Sequence, residues 1–510
     1  MLTGTTLWQL INDRVEATPD ALLVVDEDGR TMTFAEYAVA SERAAAGLAA
    51  LGVGEGSVVT WQLPTWIESM VLVAALSRLG ATQNPVLPIY REREVGFCTK
   101  QAGADLIVVP SEWKGFNYQQ MATEIVNANG HGAVLVADKR LPDGDPSTLA
   151  PLADTDTDSD PVRWLFYTSG TTSDPKGARH TDASVAAVAA SMGRRMNVTA
   201  EDRSAVVFPF THIGGITWLF CALQFGHSLI MMETFHPTET AEVLSRENVT
   251  LAGSGTPFHM AYLAAQKASS TPIFPNVRAF PGGGAPKPPQ LVTDIREAFG
   301  APVLSGYGLT ECPILTMASI DDSDAELAIS EGKPMPGVEI KLVKTDGTIA
   351  GPGEDGEIRA KAPQLMKGYL DESLNVDGFD EEGYFRTGDL GRFDDHGNVI
   401  ITGRLKDIII RKGENISAKE LEDMLFTHPK VADVAVIGLP DAASGERACA
   451  VIQTADGQSD ITFDELVEFM LAEGLMKQKL PEQLEIVDVI PRNASGKILK
   501  QNLQAQYSKA

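Results

Sequence analysis

The stretch Trp164-Leu-Phe-Tyr-Thr-Ser-Gly-Thr-Thr-Ser-Asp-Pro-Lys-Gly-Ala178 decides how the chain is read. Trp164 to Tyr167 are apolar or aromatic and predict a buried strand. At Thr168 the strand gives way to hydroxyls and glycine, and Lys176-Gly177 closes the run. That composition suits a polyphosphate cradle. Gly170 lets backbone N–H groups approach an anion, the hydroxyls of Thr168, Ser169, Thr171 and Thr172 donate to phosphate oxygens, and Lys176 supplies charge. The G-x-x-x-x-G-K-[ST] spacing of a Walker A loop is absent. A plain polar turn between strand and helix is the other reading of the same residues.

Outward from this stretch, short apolar runs alternate with helical patterns. Upstream, Phe34 to Leu51 and Glu68 to Leu79 carry apolar residues at helical spacing, and a glycine stops each. Ser57 to Gln62, Ala104 to Pro110 and Ala133 to Ala137 are strand-like. Downstream, a helix is expected from Thr181 to Met192, with Thr181 or Asp182 as its N-cap and its dipole beside the phosphate loop. Two further strands run into glycine-rich turns, Gly282-Gly-Gly-Ala-Pro286 and Gly306-Tyr-Gly-Leu-Thr-Glu311. The pattern predicts an α/β fold with a helix-covered, mostly parallel sheet. Three glycine-rich loops are expected to leave the carboxyl ends of one sheet and meet in one crevice. Beyond about residue 330, short strands joined by Gly/Pro/Asp turns predict an antiparallel β subdomain. Ile400 to Asp407 leads into a small final α+β domain, so the division expected is 1–403 and 404–510.

A chain of 510 residues is too long for one core. Its 42 basic and 69 acidic residues give a net charge of −27, which argues against nucleic acid or an anionic membrane as partner. A polyphosphate site must therefore build its own positive potential from a few Lys and Arg, backbone amides and a divalent cation. Cys98, Cys221, Cys312 and Cys449 lie far apart with no C-x-x-C pair, so neither a zinc site nor a disulfide framework is suggested. The N-terminus lacks a basic segment followed by an apolar one, and no apolar run reaches the ~18–20 residues of a membrane span. A cytoplasmic location is expected.

Five strings together carry a resemblance. They are Tyr-Thr-Ser-Gly-Thr-Thr-x-x-Pro-Lys-Gly from Tyr167, Gly-Tyr-Gly-Leu-Thr-Glu from Gly306, Tyr-Phe-Arg-Thr-Gly-Asp from Tyr384, Gly-Arg-x-Lys-Asp from Gly403 and Pro-Arg-x-x-x-Gly-Lys from Pro491. In this order they resemble the acyl-adenylate-forming superfamily of acyl-CoA synthetases, aryl-CoA ligases, luciferases and the adenylation domains of peptide synthetases. The resemblance implies a large N-terminal domain, a small mobile C-terminal lid and a two-step reaction. A carboxylate attacks the α-phosphorus of ATP to give acyl-AMP and pyrophosphate, and the thiol of CoA then attacks the acyl carbonyl. Substrate groups do the attacking, so the protein's share is positioning and charge stabilisation.

The same resemblance implies roles residue by residue. Thr168, Ser169, Gly170, Thr171, Thr172 and Lys176 would hold the β- and γ-phosphates. Gly283, Gly284, Ala285 and Pro286 would pass beside adenine, and Tyr307 would stack on it. Thr310 would contact the α-phosphate, Glu311 would hold Mg²⁺, Asp389 would accept from the ribose hydroxyls and Arg404 would fix the ribose. Lys497 would be catalytic, its ammonium bridging the substrate carboxylate and the α-phosphate. Lys406 matches the lid's pivot, and Lys412 and Gly413 would border the CoA pantetheine. His212 matches a gate beside the acyl pocket, with a plain core histidine as the other reading. Gly306 and Gly308 would also line that pocket.

Two departures stand out. Ser173 replaces a customary glycine in the cradle, and Thr181-Asp182 replaces Thr-His after it, which reads as a capping variation. Phe210 to Gly215 carries no acid to pair with an amino acid's amine, which favours a non-amino acid substrate. If Gly214 to Leu223 is a helix, Gly214 and Trp218 share one face, glycine opening room that the indole walls, unless Trp218 is simply core. Asn84 to Glu94 resembles synthetases of fatty and alicyclic acids. The expected activity is ATP- and Mg²⁺-dependent thioester formation between CoA and a fatty, alicyclic or steroid side-chain acid. A carrier-protein ligase and an aryl-CoA ligase are the alternatives, and a homodimer is left open beside a monomer.

Overall fold

The structure, a computed structural model, describes residues 1–151, 160–168, 174–284, 287–411, 414–441, 444–492 and 497–508, with the backbone alone at 414 and 415. Two large sheets and the helices around them form the first part of the chain. One sheet has six strands, in the order Lys176–Thr181, Val162–Thr168, Thr82–Pro85, Val58–Trp61, Leu106–Val109 and Ala133–Val136. Its neighbours are parallel except for the first pair, which is antiparallel. The second sheet orders Arg203–Val206, Ser228–Met231, Leu22–Asp26 and Thr31–Thr33. Parallel bridges from Ser204 to Leu251 and from Leu251 to Ala279 lead on from it to a further row, Phe280–Gly283, Val303–Tyr307, Thr316–Met317 and Lys333–Pro334.

Both sheets send side chains into one core. Val24 and Leu229 from one sheet and Trp61 and Trp164 from the other join the helices Ile67–Arg78 and Ile213–Phe225 there. Those helices are apolar nearly all round and buried nearly all round, the match expected of a helix enclosed by protein. The strand and helix positions expected from apolar spacing agree with the observed Phe34–Ala50, Val58–Trp61, Leu106–Val109 and Ala133–Val136 to within one or two residues at most ends.

Two expectations fail. The helix after the cradle does not follow the phosphate loop directly, because the chain first runs back along Val162–Thr168 as the strand Lys176–Thr181. The helix Asp182–Arg195 therefore starts at the far end of a six-residue strand, and its dipole is not beside the cradle. Nor do the three glycine-rich loops leave one sheet. The cradle belongs to the six-stranded sheet, whereas Phe280–Gly283 and Val303–Tyr307 belong to the separate four-stranded row that bridges lead to from the second sheet.

The antiparallel subdomain is present as Glu339–Val343, Gly356–Lys361, Phe385–Phe393 and Val399–Arg404. After Arg404 a short 3-10 turn, Leu405–Asp407, leads to a five-stranded sheet with its own two cores. One core packs Leu421, Val436 and Ile452, and the other packs Ile437, Ile490 and Leu503. Arg411–Glu482, Lys430–Glu465, Lys479–Glu420 and Arg492–Asp433 are ion pairs closed within this part.

Candidate functional site

The cradle is the connection of a hairpin, with Lys176 opposite Thr168 at its neck. Ser169, Gly170, Thr171, Thr172 and Ser173 lie outside the described residues. The ammonium of Lys176 stands 5.5 Å above the ring of Tyr369. The Tyr369 hydroxyl donates to Glu311 Oε1 at 2.8 Å, and burial pushes that phenol's pKa up. Tyr369 reaches this place because residues 366–370 lie along the outer strand of the hairpin, with an Ala178–Tyr369 bridge and Leu370 N–H donating to Gly177 O at 2.7 Å. A lone tyrosine after Gly368 has no chemical signature in sequence, so this link between cradle and carboxylate was not legible there.

His180 holds the same corner from below. Its Nε2–H donates to the Thr310 carbonyl at 2.8 Å, and burial lowers its pKa to about 4, so it is neutral. Thr181 is the N-cap of the following helix, accepting from Ser184 N–H at 3.1 Å. Asp182 is not a cap. It is buried, accepts from Trp164 Nε1–H at 2.7 Å and from Leu7 N–H at 2.9 Å, and ties the N-terminal helix to the cradle strand.

The glycines of the other two loops answer to close backbone approach. A Cβ on Gly283 would sit 2.3 Å from Gly306 O, and one on Gly308 would sit 2.3 Å from Ile314 N. Gly306 is confined by Thr316 O at 3.3 Å. Gly308 thus serves the turn that carries Thr310 and Glu311, and its missing side chain opens no room in a pocket. Gly284 has φ +78° in open space, a backbone that favours glycine. Ala285 and Pro286 lie outside the described residues. Lys287, next along, is half-buried and donates to Ser305 Oγ at 2.8 Å, to Ser330 O at 2.9 Å and to Leu327 O, so it pins this loop to the following strand.

At the other end of the cleft Asp389 is 2 % exposed. Arg404 Nε stands 2.5 Å from its Oδ1, and the Tyr307 hydroxyl donates to its Oδ2 at 2.8 Å. Burial, and then the Asp389 charge, raise the Tyr307 phenol well above its ordinary range. Lys406 follows in the 3-10 turn, its pKa lowered by burial and by Arg404. Lys497 is exposed as a residue, yet its ammonium end lies where burial and the charge of Arg404 lower its pKa to about 8. Asp389 and Glu311 act on it in the opposite sense. Lys412 and Gly413 lie outside the described residues.

His212 caps the helix Ile213–Phe225, its Nδ1 accepting from Gly214 N–H at 3.0 Å. The ring is enclosed although part of the residue is exposed, and burial lowers its pKa to about 4. Together with Val86, Leu87, Phe166, Thr211 and Thr310 it lines a small, mostly apolar cavity of about 20 Å³, so an acid larger than a few atoms needs these side chains to move apart. A Cβ on Gly214 would lie 3.3 Å from the Phe208 ring. Trp218 is on the same helix one turn on but does not line this cavity. It is buried edge-on to His227, with ring centroids 5.9 Å apart.

The donors fit Mg²⁺ carried on a nucleotide. Glu311 is buried with one oxygen bonded to Tyr369, and its Oε2 takes no hydrogen bond among the described residues. No group of three or more His, Cys, Asp or Glu that could hold a metal occurs among the described residues. Mg²⁺ keeps waters and is bound by one or two carboxylates plus substrate phosphates, which one such carboxylate satisfies.

Comparison with known proteins agrees with this layout. The chain matches the AMP-binding enzyme family over residues 11–370 and the C-terminal domain of AMP-binding enzymes over residues 420–497. It is 30% identical to the medium-chain fatty-acid–CoA ligase of Escherichia coli K12, covering 97% of this chain and 88% of the relative. It is also 30% identical to the salicyl-AMP ligase/salicyl-S-ArCP synthetase of Mycobacterium tuberculosis, covering 99% and 91%. The o-succinylbenzoate-CoA synthetase of Bacillus subtilis, solved with ATP and magnesium, superposes with a TM-score of 0.82 at 30% identity over 97% of this chain and 98% of the other. With family models matched over both parts of the chain and 30% identity to a ligase covered almost end to end, the chain belongs to the AMP-binding superfamily and is an ATP-dependent adenylate-forming ligase.

Proposed function

We propose that this ligase is an acyl-CoA synthetase acting on a fatty or bulky alicyclic acid. The observation that carries the reading is the pairing of buried Asp389 with Arg404 and Tyr307, together with buried Glu311 tied to Tyr369 and adjoining Thr310, which with His212 lines an apolar cavity; the charges of Asp389, Arg404 and Glu311 all act on Lys497. Thr168 and Lys176 hold the terminal phosphates, with Ser169, Gly170, Thr171 and Thr172 completing the loop. Gly283 and Gly284, followed by Ala285 and Pro286, present backbone to adenine, and Tyr307 covers it. Asp389 and Arg404 receive the ribose. Glu311 holds Mg²⁺, which supplies charge neutralisation on the phosphates when bound.

Lys497 lowers the cost of the charge that builds as the carboxylate oxygen bonds to the α-phosphorus and pyrophosphate leaves. The strand Val399–Arg404 ends the first part of the chain one residue beyond the 403/404 division expected, and the lid turns about Lys406 in the turn that follows so that Lys412 and Gly413 border the incoming thiol. The thiol then attacks the acyl carbonyl and AMP leaves. Val86, Leu87 and Phe166 support an apolar acid, and His212 stands between acid and thiol. Four buried cysteines, all free, suit a reducing compartment such as the cytoplasm. A panel of carboxylic acids assayed for pyrophosphate release with and without CoA is the test. Acid-dependent pyrophosphate with free acyl-CoA supports the reading. Pyrophosphate without any free thioester would instead identify a ligase that loads a carrier protein.

A further inference from the structure

The lysine at position 497 stands on a loop whose neck is built with unusual care. Arg492 and Ile498 form an antiparallel bridge, and Leu499 N–H donates to Pro491 O at 2.8 Å. On one side of the neck Arg492 Nη2 contacts both carboxylate oxygens of Asp433 at 2.8 and 2.7 Å. On the other side Lys500 Nζ lies 2.7 Å from Glu422 Oε1. Glu422 is buried on the helix Ala418–Leu425, and the same oxygen accepts from Val436 N–H at 2.7 Å. Lys500 Nζ is also 3.9 Å from Asp407 Oδ2, in the turn that holds Lys406.

We infer that Lys500 is a positioning residue for the adenylation step: held by Glu422 and Asp407, it fixes the base of the loop from which Lys497 reaches the cleft. This rests on the function proposed above. Lys500 opens the last helix, Lys500–Tyr507, which Leu503 and Tyr507 already pack against the lid's second core. The ion pair is therefore not what keeps that helix folded. It fixes the direction in which the chain leaves the loop just after Lys497, and a misplacement of about 1 Å at a reacting centre costs about a hundredfold in rate. A carboxylate brought inside the lid, with one oxygen held by both a backbone N–H and an ammonium, ties that ammonium to the backbone of the strand Val431–Asp441.

The test uses the full chain with Lys500→Met, Glu422→Gln and the conservative Lys500→Arg. Hydrogen exchange is followed for residues 490–500 and for the strand pair Val431–Asp441 and Gly445–Thr454. Lys500→Met is expected to speed exchange at residues 490–500 about tenfold or more while the strand pair keeps its protection, and Lys500→Arg to restore it. Acid-dependent ATP–pyrophosphate exchange is expected to lose about tenfold or more in kcat with KM for ATP within about twofold, thioester formation from supplied acyl-AMP being spared. Glu422→Gln should match Lys500→Met. Unchanged exchange at residues 490–500, or equal loss of both half-reactions, would overturn the inference. A wild-type chain with no acid-dependent exchange would overturn the proposed function instead, and the hydrogen exchange would still judge the neck.

Discussion

At the residue scale the site depends on atoms that are missing as much as on atoms present. Gly308 has no space for a Cβ, because Ile314 N would lie 2.3 Å away, and the turn it closes carries Thr310 and Glu311. Overpacking against backbone costs about 1–3 kcal/mol, so Gly308→Ala is expected to lower kcat/KM for ATP about tenfold or more, measured by pyrophosphate release at varied ATP. Charge sets the second expectation. Lys497 has its pKa lowered to about 8, first by burial and then by Arg404, and only its protonated form opposes the charge of the reacting phosphate. Activity should therefore be retained below that value and lost above it. The kcat/KM for ATP in the adenylation step is expected to fall about tenfold per pH unit beyond about pH 8, since kcat/KM reports groups of the free enzyme. A flat profile to pH 10 would contradict this.

At the scale of elements, the buried strands and amphipathic helices were legible because apolar spacing records which face is covered. The hairpin that holds the cradle was not. Its outer strand, Lys176–Thr181, carries Lys, Arg, His and Thr, which no rule of alternation would read as a strand in a core. Those residues find partners far along the chain: Arg179 N–H donates to Gly368 O at 3.0 Å, and His180 to Thr310 O. Lys287 and Tyr369 escaped notice for the same reason, their partners lying 18 to 58 residues away in sequence. Asp182 illustrates the error most plainly. Read as a capping variation, it is instead a buried tie between three elements. Asp182→Ala strands the Leu7 and Trp164 N–H donors at about 1–3 kcal/mol each, offset in part by relief of a buried carboxylate. A net loss of at least ~1 kcal/mol is expected in urea unfolding followed by tryptophan fluorescence. No change would mean that the tie carries no stability.

At the scale of the molecule, the candidate site draws its loops and side chains from three sheets although one was expected to supply the glycine-rich loops. Sheet membership is fixed by long-range bridges such as Ser204–Leu251–Ala279, which leave no periodic trace. The family motifs are legible all the same, because their residue types are set by chemistry and not by sheet order: Gly306 to Glu311 follows a strand into a turn, while Phe385 to Asp389 lies within a strand. The net charge of −27 opposes an incoming nucleotide, while on the proposed reading Lys176, Arg404 and Lys497 attract it at close range. Salt shortens the Debye length from about 30 Å at 0.01 M to about 8 Å at 0.15 M, so the distant acidic field is screened more than the near cations. The kcat/KM for ATP is expected to rise about twofold between those ionic strengths, and a steep fall would show that the near cations dominate from afar.

The most direct test of the mechanism is to separate the half-reactions in Lys497→Ala. ATP–pyrophosphate exchange with a good acid is expected to drop by about 10²–10³, the scale of removing one group that stabilises transition-state charge, while thioester formation from supplied acyl-AMP stays within about threefold of wild type. Equal loss of both steps, or full exchange without that ammonium, would contradict it.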